Sequence, residues 1–294
     1  MAVTNQELVA ESHLPGEVKK SVPDVVTTIA AGRQALLPFK ELWEFRELLY
    51  FLTWRDVKVR YKQTILGAAW ALIQPVVTMV IFTLIFGRLA RISSEGIPYP
   101  VFSYTGLLPW QLFAGGLQRS VQGFVGSAPL ITKVYFPRLM IPLASTLSAT
   151  IDFAIAFVVL VVMAVGYGLM PTWRVIAIPA FLGLTLLSAL GVGLWLSALN
   201  VRYRDVGHAV PFLIQVWMYA SPVVYPVGLV PERLRLLYSL NPMVGAVEGF
   251  RWALLGKPVP DLQTIVTSAG VAFLLLIWGL VYFRHTERTF ADVI

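Results

Sequence analysis

The sequence predicts an all-α, polytopic membrane protein: six transmembrane helices, an N-terminal amphipathic interfacial helix, and re-entrant outer helices between spans five and six. Three observations carry that prediction. Of 294 residues, 57% are hydrophobic and 13% charged, with a mean hydropathy of +0.73, which is more apolar surface than a soluble domain of this length can hide. The charge is also uneven, because residues 1–62 hold nine of the 23 Lys/Arg and eight of the 16 Asp/Glu. Finally, six stretches with almost no charge approach the roughly 20 apolar residues that a helix needs to cross a bilayer. The chain has no cysteine, which excludes a disulfide scaffold. Its net charge of +7 sits mostly in short loops beside apolar runs. A nucleic-acid binder would gather those cations on one soluble face, so membrane topology explains the excess better.

Taken in order, residues 1–38 show no sustained periodicity and read as a mobile cytoplasmic tail. They lack the basic, apolar and small-residue succession of a signal peptide, so the N-terminus is expected to stay cytoplasmic. Over residues 40–54, Leu42, Phe45, Leu48, Leu49 and Leu52 recur at helical spacing, but no uncharged run is long enough to span. This reads as an amphipathic helix in the headgroup layer with Trp43, Tyr50 and Trp54 at the interface; the alternative is a helix packed on a soluble partner. Spans follow at about 65–87, 101–125, 139–169, 175–200, 208–225 and 262–283. An even number puts both termini on one side. With that side inside, the inner segments hold 15 Lys/Arg and the outer ones seven, with Arg119 left within a span, as the positive-inside rule expects. Residues 225–261 hold Pro226, Pro231, Pro242, Pro258 and Pro260, yet are rich in leucine, valine and aromatic residues. Short helices that dip into the bilayer and cap a cavity fit this composition, and a surface-lying hairpin is the alternative.

The chemistry that is missing is informative. His13, His208 and His285 have no metal-binding spacing. No phosphate-binding loop exists: Gly256 and Lys257 are followed by Pro258. Charge within the spans is limited to Arg119 and Asp152, which a short loop makes neighbours. They either pair or each reach water from near a span end, and they are too few for a proton relay. The energy must then come from another protein. A membrane-embedded glycosyl- or phosphotransferase acting on a polyprenyl-linked glycan would want paired acidic residues, whereas Glu95, Glu232, Glu248 and Asp261 are scattered. A stand-alone channel or secondary transporter would want internal repeats or more ionisable residues in the spans.

Several segments resemble type-2 ABC export permeases that move O-antigen, capsule and teichoic-acid polymers. They are WRDVKVRYKQTILGAAWALIQP (54–75), LITKVYFPRLMIP (130–142), NVRYRD (200–205), YASPVVY (219–225), LNPM (240–243) and the tail FRHTERTFADVI (283–294). The resemblance covers nearly the whole chain from about residue 40, so 39–294 is read as the permease domain. It implies a multi-pass subunit of the bacterial cytoplasmic membrane with both termini inside, working as a homodimer with two copies of an ABC ATPase. It implies no catalytic residue, cofactor or metal in this chain, ATP and magnesium being held by the partner. The implied cargo is a polysaccharide attached to a polyprenyl diphosphate lipid, carried along the dimer axis past an aromatic girdle.

Candidate roles follow from this. Lys133, Val134, Tyr135, Phe136 and Arg138, in an inner loop bracketed by Pro129 and Pro137, suit a coupling helix against the ATPase; an ordinary inter-span turn is the alternative. Arg202, Tyr203, Arg204 and Asp205 form a second candidate contact. Arg55, Lys58, Arg60, Tyr61 and Lys62 suit the ATPase, the diphosphate headgroup or nonspecific inner-leaflet lipid, since each cation near such a surface contributes about 1 kcal/mol. A sugar chain presents apolar faces between hydroxyls, which suits aromatic rings with a polar tip. Trp70, Tyr99, Tyr104, Trp110, Phe113, Trp217, Tyr219 and Tyr225 are the channel candidates, any one of which could instead be an interfacial anchor. Pro231, Asn241, Pro242, Glu248 and Arg251 are candidates for an outer gate.

Overall fold

The computed structural model describes residues 39–62, 67, 69–127, 130, 136–170, 172–287 and 290. The tail expected at 1–38 lies outside them. The described residues are mostly helical, with no strand among them. The helices are α1 (Phe39–Glu44), α2 (Arg46–Tyr61), α3 (Ala69–Phe82), α4 (Tyr99–Gly126), α5 (Met140–Gly166), α6 (Ile178–Arg202), α7 (Asp205–Tyr219), α8 (Glu232–Tyr238), α9 (Pro242–Leu255) and α10 (Leu262–Glu287).

Among the described residues, four helical segments are long and apolar enough to cross a membrane: Ala69–Leu89, Met140–Gly166, Trp173–Arg202 and Leu262–Glu287. They fall on the first, third, fourth and sixth expected spans. The second coincides with α4, whose 28 residues are long enough but carry Gln111, Gln118, Arg119 and Gln122. The fifth differs more: α7 has 15 residues, starts earlier than expected and ends at Tyr219 rather than 225. A tight turn follows, in which Ser221 N–H reaches back to the Met218 carbonyl at 3.1 Å.

The organising helix is α4, buried for most of its length against α3, α5, α6 and α9. Two apolar helices in lipid have no hydrophobic reason to associate, so small residues that allow close backbone approach decide where they meet. Gly116 lies against Thr146 and Ala189, and Gly123 against Ser145. The contact between α6 and α10 is closer still, built on Gly191 and Gly279, with Trp195 stacked on Trp278 at 4.9 Å.

The amphipathic segment continues past residue 54, where the sequence reading ended it, to Tyr61, and breaks at Phe45. It does not lie apart from the bundle. Leu52 and Val57 are buried, and Leu52 joins Phe124, Phe136, Leu139, Phe283 and Phe290 in a second apolar cluster at that end of the molecule. Trp43, Tyr50 and Trp54 stay exposed.

At the opposite end, α9 begins on Asn241, whose side chain accepts from the Met243 N–H at 3.0 Å. Pro242 occupies the first helical position, and Gly256 stops the helix with φ 67°, a left-handed turn that glycine adopts without a steric penalty. Nearly every residue of α9 is buried among α4, α6 and α10, whereas α8 is mostly exposed.

Candidate functional site

At the end that carries α2, charged groups from three helices converge on one carboxylate. Asp56 and Arg60 lie one turn apart on α2; Ser145, Ser148 and Asp152 share one face of α5. The two rows meet, with Ser145 donating to Asp56 Oδ2 at 3.1 Å and Arg60 paired with Asp152. Tyr61 donates its hydroxyl to the other Asp152 oxygen, and Arg119 of α4 completes the set, paired with Asp152 and bonded to Ser148 Oγ at 3.1 Å. The expected neighbours Arg119 and Asp152 are therefore joined, and two partners that the sequence reading left unassigned to them, Arg60 and Tyr61, come from 92 and 91 residues away. Burial, and then the Asp152 bond, push the Tyr61 hydroxyl well above the usual phenol range, so it remains a donor. Beside this cluster is a cavity of about 450 Å³, lined by Arg55, Arg119, Gln122, Ser127 and Ser145 among others. A second cavity, of about 260 Å³, lies between Asp152 and Trp70.

Of the other cations expected near lipid, Arg55 binds Asp56 through Nε and Nη2 at 3.1 and 2.8 Å. Lys58 lies over the Trp54 ring at 5.6 Å, and Lys62 is exposed just past the end of α2.

At the other end stands a second polar cluster. Arg251 is wholly buried (0% exposed). It pairs with Glu248 at 3.0 Å, donates to the carbonyls of Val223 at 2.9 Å and Tyr225 at 3.4 Å, and lies 3.7 Å from the Phe102 ring centre. Lys257 approaches the same ring at 4.7 Å and pairs with Glu95. Gly106 makes room, since a Cβ there would come within 2.9 Å of both Arg251 and the Val223 carbonyl. Asn241 ties the segment after α7 to α9: it accepts from Trp217 Nε1 at 3.0 Å and donates to Ala220 O at 3.1 Å and Ser221 Oγ at 2.9 Å. Of the gate candidates, Asn241, Glu248 and Arg251 thus belong to a connected network, Pro242 starts α9, and Pro231 is exposed ahead of α8. Phe102, Lys257 and Glu95 were missed. Nothing in the spacing of residues 95, 102 and 257 signals their meeting.

The aromatic candidates divide. Tyr99, Tyr104, Trp110 and Phe113 are buried in the core of the chain. Tyr99 donates to Val224 O at 2.6 Å, Tyr104 to Ala156 O at 3.3 Å, and Phe113 packs edge-on to Trp217 at 5.0 Å. In the protomer these four fill the core and open onto no surface. Trp70 (54% exposed) and Tyr219 (50%) do face outward, and Tyr225, half-buried, bonds Tyr238 at 2.9 Å.

Among the proposed ATPase contacts, Lys133, Val134 and Tyr135 lie outside the described residues. Phe136 is buried in the second apolar cluster, and Arg138 donates to the Glu287 carbonyl at the end of α10. Both face into the molecule. The 202–205 turn is presented outward: Arg202, Tyr203, Arg204 and Asp205 are exposed, with Arg202 over the Tyr203 ring at 5.4 Å. Asn200 braces that turn, donating to Val121 O at 3.0 Å and accepting from Gly207 N–H at 2.8 Å.

Residues 47–255 match the model of the ABC-2 type transporter family. The chain is 30% identical over 258 residues to the O-antigen export system permease protein RfbA of Myxococcus xanthus, a match covering 87% of this chain and 98% of that protein. It is 31% identical over 251 residues to the protein of the same name from Klebsiella pneumoniae, covering 84% and 95%. The polysialic acid transport protein KpsM of Escherichia coli is 23% identical over 240 residues, 80% of this chain and 91% of that one. With a helical bundle carrying four membrane-length apolar segments and a family match over most of its length, the chain belongs to the ABC-2 type transporters.

Proposed function

We propose that this chain is the membrane permease subunit of an ABC exporter that moves a lipid-linked polysaccharide across the cytoplasmic membrane, powered by a separate ATPase. The near end-to-end match to proteins named as O-antigen export permeases carries the reading. It is favoured over a membrane-embedded transferase because the family matched over residues 47–255 is one of transporters. The finer picture is a homodimer with two ATPase copies, six crossings per subunit formed by α3, α4, α5, α6, α7 and α10, and both termini inside. The 202–205 turn supports it as an exposed polar contact for the ATPase, and the loop around 133–135 is the other contact. Arg55, Lys58, Arg60, Tyr61 and Lys62 then sit at the inner leaflet. The Arg251 network and α8 lie at the outer face, with Trp70 and Tyr219 turned toward the dimer axis. ATP and magnesium belong to the partner.

Co-purification tests the reading. The full-length chain, tagged and extracted from its native membrane, should bring down an ATP-hydrolysing subunit in equal amount, and deleting its gene should trap lipid-linked polymer inside the cell. Isolation of the chain without an ATPase, with polymer still reaching the surface in the deletion strain, sinks it.

A further inference from the structure

The pocket between α2, α4 and α5 has an unequal complement of charge. Among the described residues, Arg55, Arg60 and Arg119 line it with two carboxylates, Asp56 and Asp152. Asp56 is taken up by Arg55 and Ser145. Two guanidiniums from different helices therefore share Asp152, which also accepts from Tyr61. One positive charge is left without a counter-ion of its own. Each guanidinium offers five N–H donors in a planar fork, and the Nε of Arg119 is buried without a hydrogen-bond partner. The hydroxyls of Tyr61, Ser127, Ser145 and Ser148 and the amide of Gln122 share the lining with Val57, Val59 and two glycines. Two forks beside hydroxyls and an amide match the oxygens of a phosphate group better than any neutral ligand.

We propose that this pocket receives the phosphate headgroup of a lipid, with Asp152 serving as an internal counter-ion that the headgroup displaces. The choice of a diphosphate carrier as that lipid rests on the permease reading above. The fit is in size as well as charge. The cavity, about 450 Å³, is wide enough to admit a phosphate headgroup. Before the lipid arrives, Asp152 keeps Arg60 and Arg119 from facing each other unshielded. On arrival, the phosphate oxygens take over the guanidinium bonds and the carboxylate retains Tyr61.

Binding to the full-length permease in lipid nanodiscs tests this, with polyprenyl diphosphate, phosphatidylglycerol and inorganic pyrophosphate as probes. Arg119→Gln and Arg60→Gln should each weaken polyprenyl diphosphate binding about tenfold, the effect of one charged hydrogen bond. Asp152→Asn should strengthen it, because the competing anion is gone. Arg46→Gln, at the far end of α2 where the guanidinium lies over Trp43, should change nothing. Arg60 is about half exposed, so its variant remains informative if Arg119→Gln fails to fold. Weaker or unchanged binding by Asp152→Asn overturns the counter-ion role, and wild-type affinity in Arg60→Gln overturns the pocket. Equal affinity for phosphatidylglycerol overturns the assignment to a diphosphate carrier, whereas pyrophosphate binding with the same order of variants supports the phosphate as the recognised group. Absence of an ATPase on co-purification while this order holds would remove the permease reading and leave the pocket standing.

Discussion

A Cβ built on Gly279 would lie 2.2 Å from the backbone oxygen of Gly191. The crossing of α6 and α10 thus tolerates no side chain at that point. Gly279→Ala should force the helices apart, at an overpacking cost of about 1–3 kcal/mol. Thermal melting of the detergent-solubilised protein should show the loss, and Gly270→Ala on the same helix, where a Cβ meets nothing within 4 Å, should melt as wild type.

Removing the Arg251 guanidinium would leave Glu248 and two carbonyls short of their donor. Arg251→Met should cost about 3–5 kcal/mol, as breaking one side of a buried ion pair does. Arg251→Lys should rescue little, because one ammonium cannot reproduce a fork that serves Glu248, Val223 and Tyr225 together. Melting temperature and the yield of folded protein are the readouts.

Asn241→Asp keeps the acceptor for Met243 N–H and Trp217 Nε1 but loses the donors to Ala220 and Ser221. Asn241→Ala loses all four, including a helix cap that contributes about 1 kcal/mol by itself. Limited proteolysis within 220–241 should therefore accelerate in the order wild type, Asp, Ala. Equal rates in all three would contradict the tie between that segment and α9.

Tyr61 should resist titration. Its raised pKa, from burial first and the Asp152 bond second, means that the stability it lends is complete below the ordinary phenol value near 10 and is lost only as pH climbs beyond that. Subtracting the alkaline ultraviolet titration of Tyr61→Phe from that of wild type should leave no tyrosinate absorbance up to pH ~10. A tyrosinate signal in that difference below pH 10 would contradict the buried, bonded hydroxyl.

The aromatic candidates should separate by assay. Trp70→Ala and Tyr219→Ala, on exposed side chains, should reduce polymer export while leaving melting temperature and ATPase binding intact. Tyr104→Ala and Phe113→Ala, fully buried, should lower stability by about 3–5 kcal/mol. Export unaffected by both exposed variants would remove these rings from the polymer path.

The difference between these two groups shows what the sequence could and could not tell. Scarcity of charge located the apolar helices, and the prolines of residues 225–261 pointed to short helices there, of which α9 starts at Pro242. Burial was not legible. A helix in lipid is apolar on every side, so periodicity does not tell the face that meets Ala156 from the face that meets solvent or lipid, and Tyr104 looks no different from Trp70. The fifth expected span came out short because Pro222 follows α7 and the chain turns at Ala220, while the carbonyls of Val223 and Tyr225 belong to the network around Arg251. The meeting of Arg60 with Asp152 depends on how α2 lies along α5, which is a property of packing and has no local signal.

That meeting constrains how the molecule can move. Asp152 is held by Arg60 and Tyr61 from one helix and Arg119 from another, so sliding α2 along α5, or tilting α4 away from it, strands an ion in a medium that solvates it poorly. Displacements at this end are therefore geared together: a shift of α2 is handed on to both α4 and α5 through the one carboxylate that all three helices share.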